Sequence, residues 1–353
     1  MDKKRVAIIG SHGIYANYGG WDQLVNNLAE LKSRTINYLI FNPIDNSVEE
    51  SLPEGVKVVR LPLKANGVQG ILYDYLSILK SYWTCDSLLL LGIQGMPLIF
   101  VLNFFFRRNI VVNLGGIEWE RPQFNFFARI YLLICFKMIH SSKLKLIIDN
   151  KYYEKFIPSQ KKCSVHTIPY GGTIDKSKLL DSTVAELYYF IKDKYFLSIS
   201  RSIEDNGLKE LCESFIDIDE HLVLISNFSN SQYGTNVFKA YSSYSNIHLI
   251  NGLYDKPILD LIRRKCYAYI HTHTLCGTAP SLVEMIRCER PIISIDVPQN
   301  RFTLNNLGIY FSNFTELKEL LSSNTQFKSL NDNELFNKYD WKSVVGKYEN
   351  LFN

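Results

Sequence analysis

Short apolar segments alternate with amphipathic ones along almost the whole chain, and this rhythm constrains the fold more than any single motif. VAIIG at 6–10, SLLLL at 87–91 and NIVVNL at 109–114 have the length of buried strands and are too short for helices. We read strands near 5–9, 36–41, 56–61, 87–91, 109–114, 144–148 and 164–168, then again at YFLSIS (195–200), HLVLIS, NIHLI, YAYIH and PIISI. Helices fill the intervals. The one after Gly20 carries Trp21, Leu24, Val25, Leu28 and Leu31 at i, i+3, i+4, i+7 and i+10, one apolar face. Helices are also expected at 207–216, 255–265 and 279–288. Apolar strands alternating with helices predict parallel sheets covered on both faces, hence an α/β chain of two Rossmann-like, doubly wound domains. The length of 353 residues suffices for two cores. The turn-forming segment Pro-Tyr-Gly-Gly-Thr (169–173) places the boundary, giving a first domain over 1–170 and a second over 171–338.

Composition narrows the partners. A net charge of +4, from 39 basic and 35 acidic residues, lacks the concentrated basic surface that nucleic-acid binding needs. Seven cysteines form no CxxC pair, which favours free thiols in a reducing compartment over disulfides or zinc. The start, MDKKR then VAIIG, reads as a first strand and not a signal peptide, because the apolar run stops after five residues at Gly10. Residues 87–106 are uncharged and long enough to span a bilayer. Gly92, Gln94, Gly95, Pro97 and Asn103 interrupt them, so a strand–loop–helix unit is the better reading. The excess of aromatics, 22 Tyr and 21 Phe, suits stacking surfaces or a membrane-facing patch.

Two doubly wound domains predict a cleft, with ligands at the carboxyl ends of the strands. Just past the first strand, Gly19 and Gly20 open a helix, where the backbone can approach a phosphate or a sugar ring. The spacing does not fit GxGxxG, so a nicotinamide site is not supported. In the second domain Arg201 follows a strand, with Glu204, Asp205 and Asn206 in the loop after it. His271 and His273 come at the end of another strand; one is expected in the core and His273 in the cleft. The loop holding Gly277, Thr278 and Ser281 then opens a helix that carries Glu284, a group able to accept sugar hydroxyls. Together these predict a nucleotide-diphosphate pocket.

The segments ANYGGWDQLVNNLA, GGIEWER, IIDNKYYEKF, SRSIEDNGLKEL, HTHTLCGTAPSLVEM and the W-x-x-V-x-x-x-Y tail occur in order over almost the entire chain. In this pattern the sequence resembles the GT-B fold glycosyltransferases of family 4, and within them bacterial rhamnosyltransferases of capsule and O-antigen synthesis. The resemblance implies metal-free, retaining transfer of a sugar, L-rhamnose from dTDP-rhamnose, with no cofactor beyond that co-substrate. It implies a polyprenyl-diphosphate-linked saccharide as acceptor, at the cytoplasmic face of the plasma membrane. It also implies that the last helix, 339–353, crosses back onto the first domain. By position, Gly19 and Gly20 resemble the glycine loop at the donor, Arg201 the cation that neutralises the leaving diphosphate, and Glu284 the glutamate on the nucleotide's pentose. Arg201, Glu118 and Asp149 are the catalytic candidates; Asp149 fits a helix cap equally well.

This chain departs from the family at three points. Asn206 stands where the family has a lysine, leaving Lys209 as a displaced substitute, and Cys276 replaces the first glutamate of a pair. Gly115 stands where many relatives have Asp or His. A UDP-hexose donor, a nucleotide-sugar epimerase and a non-catalytic sugar-binding subunit are the alternatives. The aromatic-basic stretches FFFRR (104–108) and 124–143 predict contact with an anionic membrane surface, though much of the second is expected in the core.

Overall fold

The computed structural model describes residues 3–16, 19–46, 51–117, 125–174, 188–323 and 325–353. The chain divides into two compact units, Met1–Gly171 with Lys338–Asn353, and Gly172–Asn337.

The first unit is built on β1 (Lys4–Ile9), α1 (Gly20–Leu31), β2 (Ile36–Asn42), β3 (Val56–Arg60), α2 (Gly67–Ser81) and β4 (Ser87–Leu91). It continues with α3 (Met96–Phe105), β5 (Asn109–Asn113), α4 (Phe126–Ser141), β6 (Lys145–Ile148) and β7 (Ser164–Thr167). Its seven strands are parallel in the order β3-β2-β1-β4-β5-β6-β7. The order reverses at β1, which lies between β2 and β4. Apolar strands such as SLLLL, buried at every position, follow from helices covering both faces. One core gathers Tyr73 and Ile78 of α2, Met96 and Ile99 of α3, and Leu132, Cys135 and Ile139 of α4. A separate core holds Leu24, Val25 and Leu28 of α1.

The second unit runs β8 (Tyr195–Ile199), α5 (Leu208–Glu213), β9 (His221–Ser226), α6 (Gln232–Tyr241), β10 (Ile247–Asn251), α7 (Lys256–Lys265) and β11 (Ala268–His271). Then come α8 (Pro280–Ile286), β12 (Ile292–Ile295), α9 (Pro298–Thr303), β13 (Ile309–Phe311), α10 (Phe314–Ser322) and α11 (Asn333–Lys338). Its six parallel strands follow the order β10-β9-β8-β11-β12-β13, reversing at β8. The final helix, α12 (Trp341–Phe352), is part of the first unit and buries Trp341, Val344, Val345, Tyr348 and Leu351 in the core shared with α1. Among the described residues no helix is long and apolar enough to cross a membrane.

Candidate functional site

A doubly wound sheet opens at the point where its strand order reverses, and ligands bind past the carboxyl ends of the strands there. In the second unit that point lies between β8 and β11, the strands that deliver Arg201 and the pair His271–His273. The Arg201 side chain is exposed and, among the described residues, has no carboxylate partner. Its backbone is fixed: the Arg201 carbonyl accepts from the Asn206 side-chain amide at 2.8 Å and from the Ile203 amide at 2.9 Å. Asn206 thus turns inward to cap its own loop. The Thr272 hydroxyl donates to the Asn206 carbonyl, and Thr274 donates to the Asp205 carbonyl at 3.2 Å, tying the two loops together.

Both histidines point the same way, because residues two apart on an extended chain share a face. Their rings lie 4.3 Å apart, and both are buried, at 1% and 9% exposure, where the sequence led us to expect only one of them in the core. Neither ring nitrogen of His271, nor Nε2 of His273, has a hydrogen-bond partner among the described residues. Burial, and then the neighbouring Arg201 charge, push the His273 pKa down to about 3, while burial and His273 hold His271 well below its ordinary value. Both are neutral imidazoles at pH 7. An uncharged polar group buried without a partner is costly, and such groups collect where a ligand completes the bonding.

Glu284 lies one turn into α8, where its carboxylate meets the guanidinium of Arg263. Arg263, 3% exposed, also donates to Asp260 at 2.6 Å, and Asp260 accepts from Lys256 at 2.6 Å. A chain of alternating charges therefore fixes the Glu284 side chain, and its second oxygen takes no other bond among the described residues. Ser281 interacts with the buried Tyr269 hydroxyl, which donates to the Ile199 carbonyl at 3.2 Å. Gly277 and Thr278 are buried beside α9, where the Thr303 hydroxyl reaches the Gly277 carbonyl at 3.5 Å. α8 is only seven residues long and starts at Pro280, and the amides of Leu282 and Val283 turn to the Ala279 carbonyl. These two amides are therefore not free for an anion. The Lys209 ammonium sits 3.7 Å from Glu213 on its own helix. A cavity of 470 Å³ lined by Arg264, Lys265, Arg287 and Arg290 lies near the amino ends of β11 and β12, not with Arg201.

In the first unit, Gly19 caps α1 with extended backbone, and a Cβ there would meet no described atom within 4 Å. Gly20 begins the helix. The Gly19 amide is already taken by the Asp22 carboxylate at 3.3 Å, so the bend is less open to a phosphate than the sequence predicts. Asp22, 1% exposed, also accepts from the His12 amide at 3.1 Å and lies 3.4 Å from its Nδ1. The other ring nitrogen of His12 bonds Asn66 at 3.1 Å. Hydrogen bonding to Asp22 raises the His12 pKa, against a smaller lowering by burial. Sequence reading missed this pair; the signal was a polar residue just past the first strand with an acid at N3 of the next helix.

Gly115 has a structural reason. Its φ is +68°, and a Cβ would lie 2.4 Å from the Trp21 ring, so no Asp or His fits at this position. Asp149, 4% exposed, follows β6, and the cap of the next turn is Asn150, which accepts from the Tyr152 amide at 2.9 Å. The cap role thus falls to the neighbouring residue. Glu118 lies outside the described residues. Among the described residues no group of three His, Cys, Asp or Glu side chains could hold a metal ion.

Residues 3–173 match a family described as a domain of unknown function (DUF1972). No curated protein matches the sequence. Solved structures match over its full length. Sucrose-phosphate synthase from Thermosynechococcus elongatus superposes with a TM-score of 0.78 at 13% identity, covering 99% of this chain and 98% of that one. A glycosyltransferase from Rickettsia africae gives 0.73 at 13% identity, with 99% and 98% covered. Anabaena HepE in complex with UDP and glucose gives 0.71 at 13% identity, again covering 99% and 98%. At such identities the likeness establishes the fold alone, and the fold is GT-B, with two Rossmann-like parallel-sheet domains.

Proposed function

We propose that the protein is a glycosyltransferase that takes a sugar from a nucleotide donor, with the diphosphate held at the carboxyl ends of β8 and β11. The observation that carries this reading is the exposed Arg201, with no carboxylate partner among the described residues, beside two buried neutral imidazoles whose ring nitrogens, all but His273 Nδ1, have no hydrogen-bond partner there. In the transfer, the bond between the sugar's anomeric carbon and the diphosphate breaks while an acceptor hydroxyl bonds to that carbon. Negative charge gathers on the departing diphosphate, and the Arg201 guanidinium stabilises it. His273, kept neutral, donates to or accepts from the donor without adding charge, and the open oxygen of Glu284 accepts from a pentose hydroxyl. Gly19 and Gly20 allow close approach of the sugar, and Asp149 with Glu118 are assigned to the acceptor side.

The HepE structures hold UDP and UDP-glucose, which supports a nucleotide-sugar donor in this fold. The finer reading follows the motif resemblance: L-rhamnose from dTDP-rhamnose, moved with retention and without a metal to a polyprenyl-diphosphate-linked saccharide of a surface polysaccharide. Such an enzyme works at the cytoplasmic membrane surface.

The test is turnover. With dTDP-rhamnose and a polyprenyl-diphosphate-sugar acceptor, nucleotide diphosphate should be released only when acceptor is present. Change of the donor alone would overturn the reading in favour of an epimerase, and no change with any nucleotide sugar would leave a binding subunit.

A further inference from the structure

α4 should bury one face and present polar residues on the other, as a surface helix does. Its inner stripe, Leu132, Cys135, Phe136 and Ile139, does face the core. The outer stripe is apolar too: Phe126, Phe127, Ile130, Leu133 and Ile134 are exposed, Phe127 by 80%. The neighbouring α3 repeats the pattern, with Met96 and Ile99 inside and Phe100, Val101, Phe104 and Phe105 outside. α2, on the same core, exposes Val68, Leu72, Leu76 and Leu79. Among the described residues, fifteen of the 24 exposed large apolar side chains fall between residues 68 and 134, so the surplus is concentrated on and beside these three packed helices. A patch of this kind marks an interaction surface.

Charge selects the occupant. Arg107, Lys137 and Lys143 are exposed at the edges of this face, and Lys80 closes α2. None of them has a carboxylate partner among the described residues, and α3 and α4 contain no acidic residue at all. Exposed phenylalanines beside unpaired cations suit an interface of acyl chains and anionic headgroups, whereas a second copy of the face would set like charges against each other.

We infer that the outer faces of α2, α3 and α4 dock on an anionic lipid bilayer, seating Phe104, Phe105, Phe126 and Phe127 at the headgroup–acyl boundary. This docking does not depend on the donor chemistry proposed above.

The test is co-sedimentation of the full chain with vesicles of phosphatidylglycerol and phosphatidylcholine in equal parts, at low salt. The protein should pellet with these vesicles, release on addition of salt, and stay largely in the supernatant with phosphatidylcholine alone. Phe104→Ser with Phe127→Ser, and separately Arg107→Glu with Lys137→Glu, should each weaken partition by on the order of tenfold. Nucleotide-sugar thermal shifts should stay at the wild-type value in both variants, which reports that they fold. A wild-type protein that does not pellet with anionic vesicles overturns the inference, as does partition that neither variant changes. A wild-type dimer in light scattering that becomes a monomer on Phe104→Ser/Phe127→Ser, without vesicle binding, would assign the face to a second copy. Loss of donor binding with vesicle binding intact would sink the enzyme reading and leave this one standing.

Discussion

The two sheets reverse at equivalent places, β1 and β8, yet their carboxyl ends are furnished in opposite ways. Past β1 the charged groups are paired: His12 lies between Asp22 and Asn66, and the Trp21 ring covers Gly115, although Trp21 Nε1 and Asn42 Nδ2 have no hydrogen-bond partner among the described residues. Past β8 and β11 the charge is not paired: among the described residues Arg201 has no carboxylate partner, and three ring nitrogens of the buried His271 and His273 have no hydrogen-bond partner. Like topology therefore does not make like sites. An unpaired cation is where a diphosphate gains most, which is why the proposed function puts the diphosphate in the second unit.

The largest effect should come from behind that site. Arg263→Met removes the buried cation between Asp260 and Glu284, leaving the buried Asp260 with Lys256 alone and the part-buried Glu284 without its partner. Denaturant unfolding should show a loss of about 3–5 kcal/mol. A loss near zero would mean that Glu284 is not held as described. Next, Arg201→Ala should lower the rate of transfer by roughly 10²–10³-fold with little change in stability, read from steady-state kinetics beside the unfolding midpoint. A drop in stability with normal turnover would reduce Arg201 to a structural residue and erase the contrast. Third, Gly115→Ala should destabilise the first unit by roughly 2–4 kcal/mol, from a left-handed backbone and the clash with Trp21. Near-neutral unfolding would show that the Trp21 packing is loose.

Acidity separates the two ends further. The folded pKa of His273 is lowered, so its contribution to stability is complete above about 6.5, the unfolded value, and is lost as pH falls toward 3. Each such histidine steepens acid unfolding by about 1.4 kcal/mol per pH unit in that range. His273→Gln should flatten the profile below pH 6.5. His12 has the opposite sign: its pKa is raised, so its contribution is present below 6.5 and is lost as pH rises through the folded value. His12→Gln should remove a small decline in stability on the alkaline side of 6.5, the weakest of these effects because the ring is half-exposed. Profiles of the same sign for both histidines would break the comparison.

Much of this architecture was legible because buried parallel strands are written as unbroken apolar runs, as in SLLLL and HLVLIS, which need no partner to be recognised. Arg201 was legible for a related reason, since the residue just past such a run is placed by the run itself. Groups whose roles depend on another element were not. Glu284 gains its orientation from Arg263, 21 residues away on a different helix, and Asn206 was read as facing a ligand when it bonds its own loop. Lys209 pairs along its helix, which spacing alone does not distinguish from reaching a phosphate. The outer face of α4 was partly taken for core, because hydrophobicity on every side of a helix does not say which side the sheet covers.

The most direct test of the central claim is calorimetric titration of dTDP-rhamnose and of dTDP into the wild-type protein and Arg201→Ala, with UDP-glucose as the comparison donor. The account predicts saturable binding of both dTDP ligands to the wild type, tighter than UDP-glucose, and at least tenfold weaker binding to the variant, since each tenfold is about 1.4 kcal/mol. Equal affinity in the two proteins would contradict it, because the diphosphate would then be held somewhere other than at the end of β8.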